Sequence, residues 1–420
     1  MVGIKGAKAF IAARLREQAS RRGHDSQNGP DSERWIAPLH VSGLRAINDD
    51  TLIIELDQPD PVFPFMWPCI AQPREEVERS DVPFGLRGVG DGPYRVGEWI
   101  RGKRLVLEPN PHYSGQEPRH FDRIDIMIGG DASTHLMMFE RGELDVAEIE
   151  NFTLPIADHA RIASNPKWRS CLEESLAGAS VYVVLNTEVI PFNHLKVRQA
   201  LNYAVNKPRC LHVSGGRWMV GAGILPPLIP GYNPKLQGYP YDPDKARALL
   251  AASDVPRPIR LSLWYPHEFE CVMIAQRIQA DLRGAGVEVE LKEVTPAEMG
   301  MALSVRGKVP MALFGFITSV PDPKDLLVSL FDGRSLSNSY SYNFAFYANP
   351  KVDRLLDEAA AELRMPTRYA LFQQAEEIIV RDAPFIFLGY PKFFALKQPW
   401  IKGRLIEPLW PFRLDRIWKE

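Results

Sequence analysis

Two stretches hold the side chains best suited to chemistry. LFGFITSVPDPKD (313–325) carries Phe314 and Phe316 close to Ser319, Asp322 and Asp325, and SLSNSYSYNFAFY (335–347) is dense in Tyr, Phe, Ser and Asn, with Asn343 among them. A third set, Asn186-Thr187, ends the apolar run VYVVL. Aromatic faces stack on apolar solute surface, while amides and hydroxyls orient it by hydrogen bonds, so these types describe binding rather than bond breaking. Each has a structural alternative. The aromatic run also suits strand packing, Asn186 can bond a neighbouring loop, and Asp322 before Pro323 suits a helix cap.

Catalytic patterns fail one by one. The chain has no G-x-S-x-G nucleophile elbow, no phosphate-binding P-loop and no H-E-x-x-H zinc helix. Gly88-Val89-Gly90 opens like a dinucleotide fingerprint, but Pro93 stands where its last glycine belongs and a strand pattern follows. Asp and Glu total 52, and no pair among them announces itself as an acid–base couple. Cys69, Cys171, Cys210 and Cys271 are far apart, which fits buried small apolar residues better than zinc or a redox pair. No enzyme, no cofactor and no metal is expected.

Bulk properties set the remaining bounds. At 420 residues the chain can build two or three cores, and a net charge of −2 with 24% charged residues gives nucleic acid no basic surface. Proline is high, 36 residues spread along the chain, which points to many ordered loops. No run reaches the roughly 18 apolar residues of a membrane span. The N-terminus, MVGIKGAKAFIAARLREQ, is interrupted by Lys5, Lys8, Arg14 and Arg16 and offers no signal-peptide core or cleavage site.

The elements that must position these residues alternate between strand and helix, giving an α/β fold. Residues 7–18 read as a short amphipathic helix, 21–33 as a polar loop, and 41–56 as two strands around Asn48-Asp49-Asp50. GDGPYRVGEWIRGKRLVLEPNPHYSG (90–115) reads as a hairpin with a turn at Arg101-Gly102-Lys103, entered through Gly90 and Gly92, which are free to take positive φ. Phe121–Ile128 alternates as a strand, Asp131 can cap a helix that stops at Gly142, and GELDVAEI (142–149), which carries Asp145, follows. In PFNHLKVRQALNYAVNK, Val197, Ala200, Leu201, Ala204 and Val205 share one helical face. Asp242 caps the next helix. Ile274, Ile278 and Leu282 mark a longer one ended by Gly284 and Gly286, and Val287–Val294 alternates as a strand. Met311–Phe316 is a short apolar strand, Asn349-Pro350 opens a helix, Thr367–Arg381 forms another, and 385–390 and 401–403 close the chain as strands.

Five motifs, in order, resemble the family 5 extracellular solute-binding proteins, the dipeptide, oligopeptide and nickel binders of ABC importers. They are VSGLRAINDDTLIIELDQP (41–59), GDGPY with Glu98-Trp99 and NPHYSG, GELD (142–145), the Asn186…Pro191-Phe192…Val197-Arg198…Ala200-Leu201…Ala204 block, and YANPKVDRLL (347–356). Asp91 and Ser114 depart from the family's Thr and Trp. The resemblance covers nearly all of 35–420.

It implies a two-lobe periplasmic-binding-protein-like fold with an extra small domain. Residues 1–89 would be the remnant of that small domain, 90–190 with 404–420 an incomplete first lobe, and 191–403 the second, with crossings near Ile190 and Lys402. The family passage around 41–59 lies well inside its chains, so Met1 would fall within the fold, leaving exposed sheet edges and a tendency to aggregate. Ligand would be held between the lobes by Asn186 and Thr187 on one side and by Phe314, Phe316, Ser319 and Asn343 on the other. Peptide-binding relatives have a Trp that packs on ligand and an Asp that pairs with the peptide ammonium. Phe316 and Ser319 stand at those positions, so an uncharged solute is expected. The resemblance further implies a monomer that works with a permease and an ATPase, binds a peptide or other small molecule, and is periplasmic or lipid-anchored outside the cell, although this sequence shows no signal peptide. A ligand-sensing domain of the same fold, not engaged in transport, is the alternative.

Overall fold

The computed structural model describes residues 4–5, 7, 41–48, 50–66, 90, 92–116, 118–147, 156–409 and 414–420. Past Ala7, the helix expected over 7–18 lies outside them, as do the loop over 21–33 and Cys69.

Ile4 bridges to Leu56 beside the antiparallel pair β1 (Leu44–Asn48) and β2 (Thr51–Ile54). β3 (Tyr94–Ile100) and β4 (Arg104–Pro109) make the expected hairpin, with Gly102 at φ +72, a conformation that costs glycine little. Gly90 and Gly92 are not in the left-handed region. Asn110 Nδ2 holds this turn instead, donating to the carbonyls of Gly90 at 3.1 Å and Gly92 at 2.9 Å. β5 (Ile124–Met127) adds a third strand to the hairpin. α1 (Ala132–Glu140) begins at Asp131, whose carboxylate accepts from Thr134 N at 2.8 Å, and stops before Gly142 at φ +78.

β6 (Val146–Ala147), α2 (Ile156–Ser164), β7 (Leu172–Leu176) and β8 (Ala179–Leu185) follow, then α3 (Leu195–Ala204) and α4 (Lys207–His212). The apolar face read for α3 is fully inside: Val197, Ala200, Leu201, Ala204 and Val205 are at most 1% exposed. Each buried Val or Leu there stabilises by roughly 1.5–3 kcal/mol, so one charge on this face would unseat the helix. β9 (Trp218–Val220), α5 (Pro243–Ala251), β10 (Ile259–Pro266), α6 (Phe269–Gly284), β11 (Val287–Val294), α7 (Pro296–Leu303) and β12 (Met311–Ile317) come next. α8 (Pro323–Phe331), α9 (Pro350–Ala361), α10 (Met365–Asp382), β13 (Phe385–Lys397), β14 (Ile401–Gly403) and β15 (Ile417–Lys419) complete the order.

The large sheet runs β11-β10-β12-β8-β13, with β10 parallel to both β11 and β12, and β8 antiparallel to β12 and β13. β13 is the strand on which everything converges. Its first half pairs with β8, Gly389–Pro391 pair with β9, and Lys392–Lys397 pair with β7 and β6. At Gly389 the neighbouring backbone comes so close that an added Cβ would lie 2.2 Å from Met219 O, so only glycine fits where the strand changes partners. Phe385 and Phe387 belong to one core, Ile386 and Leu388 to a second, Phe394 and Leu396 to a third, and Phe393 and Ala395 to a fourth.

The change of lobe was expected near Ile190 and Lys402. Strand partners change at Ala177-Gly178, between β7 and β8, and at Gly389–Pro391, inside β13. The run VYVVL is apolar on both faces because both are covered: Tyr182 and Val184 belong to one core, Val183 and Leu185 to another.

Candidate functional site

β12 leaves the large sheet with Phe314 opposite Tyr182, Phe316 opposite Ser180 and Ile317 opposite Ala179. Its end therefore lies beside the point where β8 begins, and Thr318 N donates to Gly178 O at 2.7 Å. Phe314 and Phe316 share the face away from Leu313, as strand alternation requires, and both are half-buried. The loop 335–347 lays its own aromatics across them. Phe314 meets Phe344 edge-to-face at 5.4 Å, Phe344 lies 6.2 Å from Tyr342, and Tyr342 meets Phe316 edge-to-face at 6.3 Å. The four rings form a continuous ladder with favourable quadrupole geometry. Tyr342 and Ile317 are exposed at its outer end.

The loop after β12 is fixed by internal bonds. Asp325 Oδ2 accepts from Ser319 N at 2.6 Å and lies 2.8 Å from Thr318 Oγ1, which is also 2.7 Å from Val320 O. Asp322 caps α8 by accepting from Lys324 N at 2.9 Å and receives Arg368 Nη2 at 2.8 Å. Lys324 Nζ reaches the Asp60 carboxylate. Asp332 accepts from Arg334 N and Nε, both at 2.9 Å. Asp322, Lys324, Asp332 and Arg334 are ion-paired, and the Asp325 carboxylate is held by hydrogen bonds from Thr318 and Ser319, so this side presents mainly rings and hydroxyls with one hydrogen-bonded carboxylate among them. Next to it, Arg306 grips Glu188 in a two-pronged pair at 2.8 Å, which raises the guanidinium pKa further.

The residues singled out from sequence divide into two groups. Phe314, Phe316 and Ser319 come together, with Ser319 exposed at the loop following the ladder. Asn186, Thr187 and Asn343 are turned inward. Asn186 is fully buried, donating to Val309 O at 3.2 Å and accepting from Glu188 N at 3.2 Å, and Thr187 Oγ1 bonds the carbonyls of Ala345 and Phe346 at 3.1 and 3.0 Å. Asn343 is likewise buried, donating to Tyr347 O at 2.8 Å and Asp332 O at 3.3 Å while accepting from Tyr347 N at 3.0 Å. Thr187 and Asn343 thus hold the aromatic loop, while Asn186 fastens the end of β8 to Val309 ahead of β12. Tyr347 itself donates to Asp382 Oδ2 at 2.7 Å, and burial pushes its phenol pKa up, keeping it a neutral donor. Tyr342 and Phe344 escaped notice as individual ladder rungs, although the period-2 spacing of Tyr340, Tyr342 and Phe344 carried the signal. Arg368 had none, since it lies 46 residues from Asp322 in the chain.

Residues 10–338 match the family model described as "Bacterial extracellular solute-binding proteins, family 5 Middle". The chain belongs to this family. Among curated relatives, this solute-binding protein is 29% identical to heme-binding protein A of Haemophilus influenzae over 88% of this chain and 68% of that one. It is 26% identical to the glutathione-binding protein GsiB of Salmonella typhimurium, covering 98% and 81%. Among solved structures, the clavulanic acid biosynthesis oligopeptide binding protein 2 superposes with a TM-score of 0.81 at 23% identity, covering 90% of this chain and 72% of that one. The ABC transporter-associated periplasmic binding protein DppA from Helicobacter pylori, solved with the peptide STSA, gives 0.74 at 23% identity over 90% and 74%. These likenesses give the two-lobe periplasmic-binding-protein fold. Relatives of this solute-binding protein are binding proteins rather than enzymes. None of its described helices is long and apolar enough to cross a membrane.

Proposed function

We propose that this chain is the solute receptor of an ABC importer, closing two lobes over an uncharged polar solute that rests on the Phe314–Phe344–Tyr342–Phe316 ladder. Working as a monomer outside the cytoplasmic membrane, it hands its ligand to permease and ATPase subunits and catalyses nothing itself. The observation that carries the reading is the position of the ladder. It stands at the end of β12, hydrogen-bonded to Gly178, where the chain passes between the two sets of strands on β13. A ligand touching both sides favours the closed form by the difference in its affinity for the two states. The two passes at Ala177-Gly178 and Gly389–Pro391 are the proposed hinge.

Calorimetry tests this directly. N-acetylated, C-amidated dipeptides and other neutral solutes should bind, and Phe316→Ala should weaken them at least tenfold. Small-angle scattering should show a smaller radius of gyration with ligand bound. Micromolar binding of free dipeptides with no binding of their blocked forms would refute the neutral-solute reading, and compaction unaffected by any bound ligand would refute closure.

A further inference from the structure

Tyr340 has φ +63, in the left-handed region that a bulky side chain rarely adopts, and yet its ring is 85% exposed. The conformation gains no packing in return. It is imposed from both sides: Arg306 N donates to Asn338 O at 3.1 Å and Arg306 Nη1 to Asn338 Oδ1 at 3.2 Å, while Ser341 N donates to Ser304 O at 3.1 Å. Two residues further on, the buried Asn343 clamps the loop again. A non-glycine residue forced into this conformation with its side chain in solvent is the pattern of a group presented for use. Its neighbour in the period-2 series, Tyr342, already belongs to the ladder and is 64% exposed.

Building on the solute-receptor reading, we infer that Tyr340 is the outermost ring of the site and that the solute carries a neutral ring which stacks against it. Exposed tyrosine faces favour a flat apolar surface, and the phenol can reach a hydroxyl or amide at its edge. The loop 335–347 (SLSNSYSYNFAFY) carries no charged side chain of its own, so it offers a ligand neutral rings, hydroxyls and amides. An aromatic side chain in a blocked peptide and the face of a sugar ring both supply this chemistry.

The full chain is titrated calorimetrically with four probes in two arms: N-acetyl-alanyl-phenylalanine amide against its leucine counterpart, and methyl β-glucoside against the open-chain polyol mannitol. In at least one arm the ring-bearing probe should bind tenfold or more tighter than its ringless partner. Tyr340→Gly, which tolerates the left-handed backbone, should lower that affinity at least tenfold without lowering Tm, and Tyr340→Phe should retain most of it. Equal binding of ringed and ringless probes, no binding of either ringed probe, or full affinity in Tyr340→Gly would overturn the assignment. If ringless neutral probes bind and Phe316→Ala abolishes that binding, the receptor reading stands while the role of Tyr340 falls. If no neutral probe binds, both fall.

Discussion

Arg368 and Asp322 form a buried ion pair at the start of α8, just after the loop that follows β12, with Nη2 2.8 Å from Oδ1 and Nε 3.4 Å from Oδ2. The arginine is fully enclosed and the aspartate is 7% exposed. Arg368 Nη1 also donates to the carbonyls of Ala359 and Ala360 at the end of α9, and its guanidinium lies 5.0 Å from the Phe372 ring centre. One side chain thus ties α10 to the start of α8 and to the last turn of α9.

Removing one partner of such a pair strands the other charge. Arg368→Met should destabilise the protein by about 3–5 kcal/mol in urea unfolding. Asp322→Asn added to it should recover part of that loss, because the double variant leaves no buried charge unpaired. Additive losses in the double-mutant cycle would show that the two side chains act independently.

The local rules read most of the secondary structure correctly. Asp131, Asp242 and Asn349 cap the helices their sequences announce, and β11 spans the run Val287–Val294 read from alternation. What stayed hidden depends on contacts distant in sequence. Asn186 donates to Val309 O, 123 residues away, a contact no local pattern announces, whereas Asn343 bonds Tyr347 only four residues along the chain. The length of β13 was also missed: FIFLGY (385–390) is followed by a proline that looks like a strand stop, whereas Pro391 sits where the strand changes neighbours. The aromatic strand itself was legible because β12 and the loop 335–347 carry their own period-2 pattern.

A buried acid sets one pH dependence. Glu376 on α10 is 1% exposed, and its Oε1 accepts from Ile224 N at 2.8 Å and Leu225 N at 2.9 Å, while Oε2 has no partner among the described residues. Burial raises its pKa to about 7. The raised value means the folded state favours the protonated acid. The stability this provides is full below the unfolded pKa near 4.5 and is lost as pH rises through about 7. Glu376→Gln keeps the acceptor and removes the charge. Its advantage over the parent in urea unfolding should be small at pH 5 and grow to roughly 2–3 kcal/mol at pH 8. A gap that does not change between these pH values would rule this out.

His159 on α2 works in the opposite direction. Its ring packs edge-on against Phe394 at 4.5 Å, and neither ring nitrogen has a partner among the described residues. Burial lowers its pKa; the charges of Arg217 and Lys392 lower it further, and Glu174 opposes them. Folding therefore favours the neutral ring, and stability falls as pH drops below the unfolded value near 6.5. Wild-type Tm should decline between pH 7 and pH 5.5 more steeply than that of His159→Leu. Parallel declines would exclude His159 as a cause.

Under the proposed function, Ser319 stands where a free peptide's ammonium would dock. Its backbone N–H is taken by Asp325 and its side chain is exposed, so a carboxylate introduced there has room in solvent but gains Asp325 as a like-charged neighbour. An ammonium enclosed between lobes needs a counter-charge, and a serine hydroxyl supplies none. Ser319→Asp should therefore strengthen binding of a free dipeptide while leaving its N-acetylated form unchanged. The size of the gain reports how far the lobes close over the position. A pair left in solvent is worth about 0–1 kcal/mol and fades with salt, whereas a desolvated charge-assisted bond is worth about 1.5–3 kcal/mol. Calorimetry at two salt concentrations separates these cases. A gain of tenfold or more that survives added salt places residue 319 inside the closed site. An equal gain for the acetylated peptide would show that the carboxylate acts on something other than the ammonium, and micromolar binding of the free dipeptide by the unmutated protein would show that the ammonium is paired elsewhere.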